Sequence, residues 1–441
     1  MSVPPAAVAP ARAADLLAAL HADNPVTAAP PFARAVVWSR GDVLRVGDGG
    51  WTVLVDGPGR LGRISALWRA AVAGRPDPEA PALAWVSSTF DDASPEPAVL
   101  RVPARVLEAD AHGVREVPAV MDEAALRAAV GSDPRARLIT GGEVPLARDV
   151  PAAAWDDAGY AAGVRDVLAR METSGGALEK AVISRTDAVP ATEADLWAAV
   201  EALRAEYPQT WVFAVGGLLG ATPEMLAARR DGVVGSRVLA GSVPRGSDAA
   251  EDAALRGRLA SDARLRSEHD WAARSVLDAL APVLDLDDDA PAPTVLTLPN
   301  VHHLATDVRG RLRSGEGTVL DVVAQLHPTA AVGGTPRAAA VELIREVEPV
   351  DRGRYAGPVG WLDEAGDGEI ALALRCGQLV EAGEAGFTKG DSPGADRPEG
   401  EARRAVRLQA GGGIVPGADP EEEVAEVAVK LLPMRRALGR A

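Results

Sequence analysis

Only three of the 46 Lys and Arg residues in this chain are lysines: Lys180, Lys389 and Lys430. Lys180 opens an apolar, strand-like run in GALEKAVISR (176–185), where charge alone would be served by the arginine used almost everywhere else. Lysine can give up its proton and arginine cannot, so Lys180 is a candidate base. Arg375, at the end of the apolar run EIALALRC, reads as an arginine inside a strand, which calls for an anionic partner such as a ligand carboxylate. In DPEEEVAEVAVK, Glu423, Glu426 and Lys430 fall at i, i+3 and i+7 on one helix face beside an apolar stripe. By itself that face reads as solvated, with a Glu426–Lys430 pair worth a few tenths of a kcal/mol. The preceding AGGGIV adds a glycine-rich approach whose backbone N–H groups can hold a carboxylate.

Glu268, in the helical SEHDWAARSVLDAL, and Glu426 would come from separate helices. Two such carboxylates suit a Mg²⁺ ion that keeps waters and takes its other ligands from an anionic substrate. His269 has no second His or Cys at zinc-ligand spacing nearby. Glu224 follows Pro223 at what reads as a helix start, where a dipole contact would also explain it. Gly241 and Ser242 offer backbone and hydroxyl donors at a strand end, and His303 and His327 are singly more often structural than functional.

These residues need a scaffold. Residues 32–118 read as antiparallel strands with Gly-rich turns and one helix, ISALWRAAVAG. Helical patterns follow at 121–135, 153–173, 191–207, 262–283 and 335–347, with a last one behind Asp419 and Pro420, a good N-cap and N1 pair. Strands are expected after Lys180, as a pair over 210–242, and at 294–311, 356–363, 368–380 and 406–415. Strands and helices do not alternate strictly, which predicts an α+β fold with large antiparallel β-sheets rather than a doubly wound parallel one. The segment 381–405, rich in Gly, Pro and charge, reads as a flexible insertion between two strands.

A net charge of −17 argues against nucleic-acid binding, and any small anionic ligand would need local cations or a metal. The lone Cys376 excludes an intramolecular disulfide and a multi-cysteine metal site. No secretory signal or roughly 20-residue apolar span is evident, so a cytoplasmic protein with no membrane partner is expected.

Taken in order, LEKAVISR, GATPE, LAGSVPRG, EH, VHHLAT, LHPTAAVGG, YAGPVGW, ALRC, AGGGIV and EEEVAEVAVK resemble the chorismate-utilising enzymes. That family includes isochorismate, salicylate, anthranilate and aminodeoxychorismate synthases. The resemblance runs from about residue 160 to 435 and is loose before that. It implies an anthranilate synthase component I-like fold: antiparallel sheets packed as a sandwich, flanked by helices, with the active site in a central cleft. Residues 1–150 would be a divergent N-terminal part of that fold, and 151–438 the chorismate-binding catalytic region.

The resemblance also implies roles. Lys180 would activate water, and Glu224 would protonate the departing C4 hydroxyl. Glu268 and Glu426 would ligate Mg²⁺, with Glu423 supporting through water. Arg375 and Tyr355, with backbone at Gly411, would take the enolpyruvyl carboxylate, and Gly413 would also bind substrate. Gly241, Ser242 and Lys430 would meet the ring carboxylate, and His303 and Ala331 would line the pocket. The cation near Lys180 that lowers its proton affinity would be the metal or Arg185.

Ammonia-adding relatives resemble a glutamine at the position of Lys180, so lysine points to water as the nucleophile and to no glutamine amidotransferase subunit. Ala240 stands where aminodeoxychorismate synthases carry a nucleophilic lysine. GPVGWLDEAGDGE and LRC look most like isochorismate synthases, and salicylate-forming relatives tend to place threonine at Ala331. Tyr355 points the other way, since some isochorismate synthases have phenylalanine there. The expected activity is thus isochorismate synthase, acting as a monomer, with a salicylate synthase or a non-catalytic chorismate-binding protein as alternatives. Gly412, where alanine is common, reads as a small change in a turn.

Overall fold

The computed structural model describes residues 11–21, 32–142, 144–148, 155–288, 291–297, 301–313, 315, 317–381 and 404–440. The expected insertion at 381–405 falls almost wholly outside them, as does Lys389. Two compact units interleave along the chain: Met1–Glu224, Pro328–Glu364 and Ala371–Ala441 form unit 1, and Met225–His327 with Ala365–Ile370 form unit 2.

Unit 1 begins with α1 (Ala13–His21), β1 (Val36–Arg40), β2 (Val43–Asp48), β3 (Trp51–Val55), α2 (Arg60–Ala73), β4 (Leu83–Ser87), β5 (Ala98–Val102), β6 (Arg105–Asp110) and β7 (Gly113–Val117). It continues through α3 (Glu123–Gly131), β8 (Ala136–Thr140), β9 (Ala147–Arg148), α4 (Asp157–Thr173), β10 (Lys180–Pro190), α5 (Glu193–Glu206), β11 (Trp211–Val215) and β12 (Leu218–Thr222). Unit 2 follows with β13 (Met225–Arg230), β14 (Val233–Pro244), α6 (Ala249–Ser261), α7 (Ala263–Leu280), β15 (Leu284–Leu286), β16 (Thr294–Thr297), β17 (Val301–Leu312) and α8 (Val319–Leu326). The rest is β18 (Gly334–Thr335), α9 (Arg337–Val347), β19 (Pro358–Asp363), β20 (Gly368–Leu372, divided between the units), β21 (Cys376–Glu381), β22 (Arg404–Ile414) and α10 (Pro420–Ala437). Two large antiparallel sheets flanked by helices make this an α+β fold, as the patterning predicts.

One sheet lies wholly in unit 1, in the order β18-β10-β22-β21-β12-β11-β1-β2-β6-β7, with the short β9 parallel to β21. Its spine is the ladder between β10 and β22, registered from Ala181↔Ile414 to Pro190↔Ala405. Alternate residues such as Val37, Leu44, Ile183 and Leu408 face α1, α4, α5, α9 and α10, whose Leu17, Val164, Leu196, Leu343 and Leu431 close one core. The helix starts are written locally. Thr192 and Asp195 form a capping box on α5, and Asp419 accepts from the N–H groups of Glu421 and Glu422 on α10 at 2.8 and 3.2 Å. Unit 1 also pairs β19 with β4, β4 with β5, and β3 with β5 and β8. Unit 2 is built on β14, which pairs with β13 and β17, while β15 and β16 flank β17.

Several sequence expectations need correction. Four strands, not two, occupy 211–244, and no helix starts at Pro223: Glu224 lies in the link between β12 and β13. Arg375 is not inside a strand but at the break between β20 and β21, with φ 47°. The glycines 411–413 lie within β22 rather than in a turn, and α6 and α8 went unread because their apolar stripes are short.

Tyr160 of α4 is fully buried and pins the helix to the sheet. Its hydroxyl donates to the Ile183 carbonyl at 3.1 Å and accepts from the Gly412 N–H at 3.2 Å. Tyr160→Phe strands that N–H, so urea unfolding should show a loss of about 1–3 kcal/mol. A change within experimental error would mean that the hydroxyl bridge contributes nothing.

Candidate active site

Lys180 stands where β10 passes between the two-residue β18 and the glycine stretch of β22, with Thr335 as its cross-strand partner. Its side chain lies over Gly413. A Cβ there would come within 2.9 Å of the lysine Cε and 3.5 Å of Nζ, so the glycine vacates the space that the lysine fills. Arg185, five residues along the strand, belongs to the opposite face and forms an ion pair with Asp157. It is therefore not the cation expected beside Lys180.

Glu224 is held by its backbone: its N–H donates to Thr222 Oγ1 at 3.3 Å and its carbonyl accepts from the Leu372 N–H at 3.0 Å. Burial raises the pKa of its carboxyl, while Lys180 and Arg375 act in the opposite direction; burial wins. The group is thereby biased to keep its proton. Arg375 is partly buried in a left-handed conformation, its carbonyl accepting from the Ala221 N–H at 3.2 Å. Burial lowers its pKa against the fields of Tyr355, Glu426, Glu224 and Tyr207, but a guanidinium stays charged. Among the described residues that guanidinium makes no hydrogen bond or ion pair, which leaves a positive charge open to an anion. Tyr355 is 8% exposed, its pKa raised by burial, and its hydroxyl has no hydrogen bond among the described residues.

On α10, Lys430 donates to the Gly411 carbonyl at 2.9 Å and pairs with Glu426, so the helical pair read from sequence exists and also touches the glycine strand. Glu423 Oε2 is buried with no hydrogen-bond partner. It lies where a Cβ on Gly412 would be, 2.5 Å from that position, so Gly412 makes room for a carboxylate. Burial, and then Glu426, raise the Glu423 pKa. An orphaned carboxylate oxygen beside a second carboxylate is a donor set that fits a hard divalent cation. Among the described residues no three His, Cys, Asp or Glu side chains group as a ready-made metal site, and the Glu268 side chain is not among those described. Ala331 is exposed in the turn 329–333, closed by N–H bonds from Val332 and Gly333 to the Thr329 carbonyl at 3.2 and 2.9 Å.

Two residues absent from the sequence reading tie these parts together. Glu348 and Arg352 form an ion pair whose side chains are only 4% and 3% exposed. The Glu348 carboxylate accepts from Ser184 N–H at 2.7 Å and from its hydroxyl at 3.0 Å. Arg352 donates to the carbonyls of Val332 at 2.8 Å and Val182 at 2.5 Å. Their i,i+4 spacing was visible, but Pro349 between them hid it as a helix end.

Unit 2 holds the other expected residues. A bulge in β14 falls at Gly241, φ 71°, and a Cβ there would be 3.1 Å from the Leu265 carbonyl of α7. Ser242 pairs in register with His303, whose pKa burial lowers. Glu268 is on α7. His269 is structural: its ring contacts the Ala240 carbonyl at 3.1 Å and Thr306 Oγ1 at 2.7 Å. His327 caps α8, its N–H donating to the Val323 carbonyl at 2.9 Å.

The model of the family described as chorismate binding enzyme matches residues 147–439, well over half of the chain. The chain belongs to that family. Among relatives, the salicylate biosynthesis isochorismate synthase of Pseudomonas aeruginosa is 37% identical over 268 residues, covering 60% of this chain and 52% of that protein. This family member thus spans about half the length of such curated relatives. Of solved structures, the menaquinone-specific isochorismate synthase of Escherichia coli superposes with a TM-score of 0.64 at 23% identity, over 92% of this chain and 88% of that one. Anthranilate synthase component I of Streptococcus pneumoniae gives 0.57 at 18% identity, over 92% and 90%. Both share the fold. No described helix is long and apolar enough to cross a membrane.

The raised Glu224 pKa has a measurable consequence. The folded protein holds this proton after the unfolded chain has released its own, so the group costs stability increasingly as pH rises from the ordinary carboxylate value to the folded one. Glu224→Gln removes that cost. Its Tm relative to the parent should climb between pH 4 and pH 8, and a difference independent of pH would show that Glu224 ionises normally.

Proposed function

We propose that this family member is an isochorismate synthase, adding water to C2 of chorismate and expelling the C4 hydroxyl. The observation that supports this reading best is the grouping of Lys180, Glu224 and Arg375, a lysine and an open guanidinium both near a carboxyl whose pKa burial raises. Lys180, neutral in the working state, takes a proton from the attacking water as the C2–O bond forms. The ring double bonds shift, the C4–O bond breaks, and Glu224 gives its proton to the leaving oxygen, which departs as water. Lys180 then carries an extra proton and Glu224 lacks one, and exchange with solvent restores both. One water enters and one leaves, so the reaction is an isomerisation.

Arg375 and the Tyr355 hydroxyl would take the enolpyruvyl carboxylate, with backbone at Gly411 and Gly413, and Lys430 the ring carboxylate. Glu423 and Glu426 would hold Mg²⁺, which supplies positive charge against the ring carboxylate and a fixed orientation for it. The parts that the resemblance gives to Glu268 as a metal ligand, and to Gly241, Ser242 and His303, rest on that resemblance alone.

Incubation of the chain alone with chorismate and Mg²⁺ should yield isochorismate by chromatography against standards, and EDTA should abolish the conversion. Salicylate with pyruvate would assign the chain to salicylate synthesis, and no conversion would overturn the catalytic reading. Lys180→Arg discriminates base from charge. Guanidinium accepts no proton near neutrality, so this variant should lose on the order of 10²–10⁴-fold in kcat, nearly as much as Lys180→Ala. An active Lys180→Arg enzyme would remove the water-activation step.

A further inference from the structure

We propose that Glu348 and Arg352 are positioning residues for this reaction, acting through β10 to set where the Lys180 side chain stands. The inference rests on the function proposed above and adds to it the device that holds the base in place. β10 is flanked on one side by β22 from Ala181 to Pro190, but on the other only by β18, which covers Lys180 and Ala181 and then ends. Beyond it, the outward backbone groups of Val182 and Ser184 are buried and need partners.

The Val182 N–H finds the Gly333 carbonyl at 2.8 Å. The Val182 carbonyl and the Ser184 N–H are taken by Arg352 and Glu348. The ion pair therefore continues the ladder where the neighbouring strand stops. Both partners are anchored elsewhere: Glu348 ends α9, and Arg352 also holds the Val332 carbonyl and stacks over Phe90 at 4.2 Å. Arg352 is also three residues before Tyr355, whose N–H donates to the Arg352 carbonyl at 3.1 Å.

One buried pair thus connects the strand of Lys180, the turn of Ala331 and the segment of Tyr355. Breaking it frees the edge of β10 two residues from the candidate base. Small displacements of a reacting group are enough to matter, about 10²-fold for 1 Å.

The chain's three lysines make the position of Lys180 readable without any turnover. Acylation by a water-soluble amine reagent, followed by peptide mass spectrometry, gives the labelling rate of Lys180 relative to Lys430 in the folded protein. Glu348→Gln keeps the side-chain shape and removes the charge that orders Arg352. It should change that ratio by at least about threefold, and in the chorismate assay lower kcat by roughly 10–100-fold with KM within about threefold. Arg45→Lys, which weakens the Arg45–Glu108 pair between β2 and β6 at 2.6 Å, is the structural control and should move neither. Should Glu348→Gln fail to fold, Arg352→Lys is read in the same way. It keeps a charge opposite Glu348 but cannot reach both carbonyls. An unchanged Lys180 labelling ratio, whatever happens to Tm, overturns the proposal. A parent chain inactive on chorismate would instead overturn the function, and leaves the labelling comparison intact.

Discussion

The constraint on which the candidate-site face of unit 1 depends is an unfinished strand edge. A buried edge cannot leave N–H and C=O groups unpaired, since each orphan costs about 1–3 kcal/mol. β18 is only two residues long, and the requirement passes to the buried Glu348–Arg352 pair. Burying two charges is itself costly, and such a pair is sound only when every remaining donor and acceptor is satisfied. Here the carboxylate accepts from Ser184 and Arg352, and the guanidinium reaches two carbonyls beyond it. The edge is closed by side chains rather than by a longer strand, which leaves the backbone free to turn away at 329–333.

A second constraint acts across the sheet. Three consecutive glycines in a strand weaken it, because they bring no packing and lose more entropy on ordering. At two of them the reason is on the other side of the missing Cβ. Gly413 yields its space to Lys180, and Gly412 to the Glu423 carboxylate and the Tyr160 hydroxyl. The stability given up is recovered by the long ladder with β10 and by the hydrogen bonds of Tyr160. In a chain of net charge −17, the guanidinium of Arg375 and the ammonium of Lys430 are local cations within one unit.

The sequence was most legible where chemistry and local pattern coincide. Lys180 was conspicuous because the chain is otherwise arginine-rich, and α10 because Asp419, Pro420 and the Glu face follow helix rules. The periodicity of 32–118 carried its strands and α2 correctly. What escaped depends on contacts distant in sequence. No local signal shows that the strand stops at Leu372 while the apolar run continues through Ala373 and Leu374, or that Arg375 takes a positive φ. Pro223 preceding a glutamate follows helix-start statistics, yet β12 and β13 claim its neighbours through tertiary pairing. Glu348 and Arg352 look like surface charges until the strand edge that they serve is folded beside them.

The ladder between β10 and β22 joins segments separated by more than two hundred residues. During synthesis, β10 emerges well before its long partner, and before β18 and the Glu348–Arg352 segment that finish its other side. Most of unit 2, a nearly continuous stretch, emerges in that interval and has its own β13–β14–β17 ladders to form. Pairing this non-local is slow and leaves unpaired edges exposed to aggregation while it waits. The nascent chain therefore carries the strand of its candidate base, apolar from Ala181 to Ile183, with the edge that β22 will pair left open through roughly half of translation.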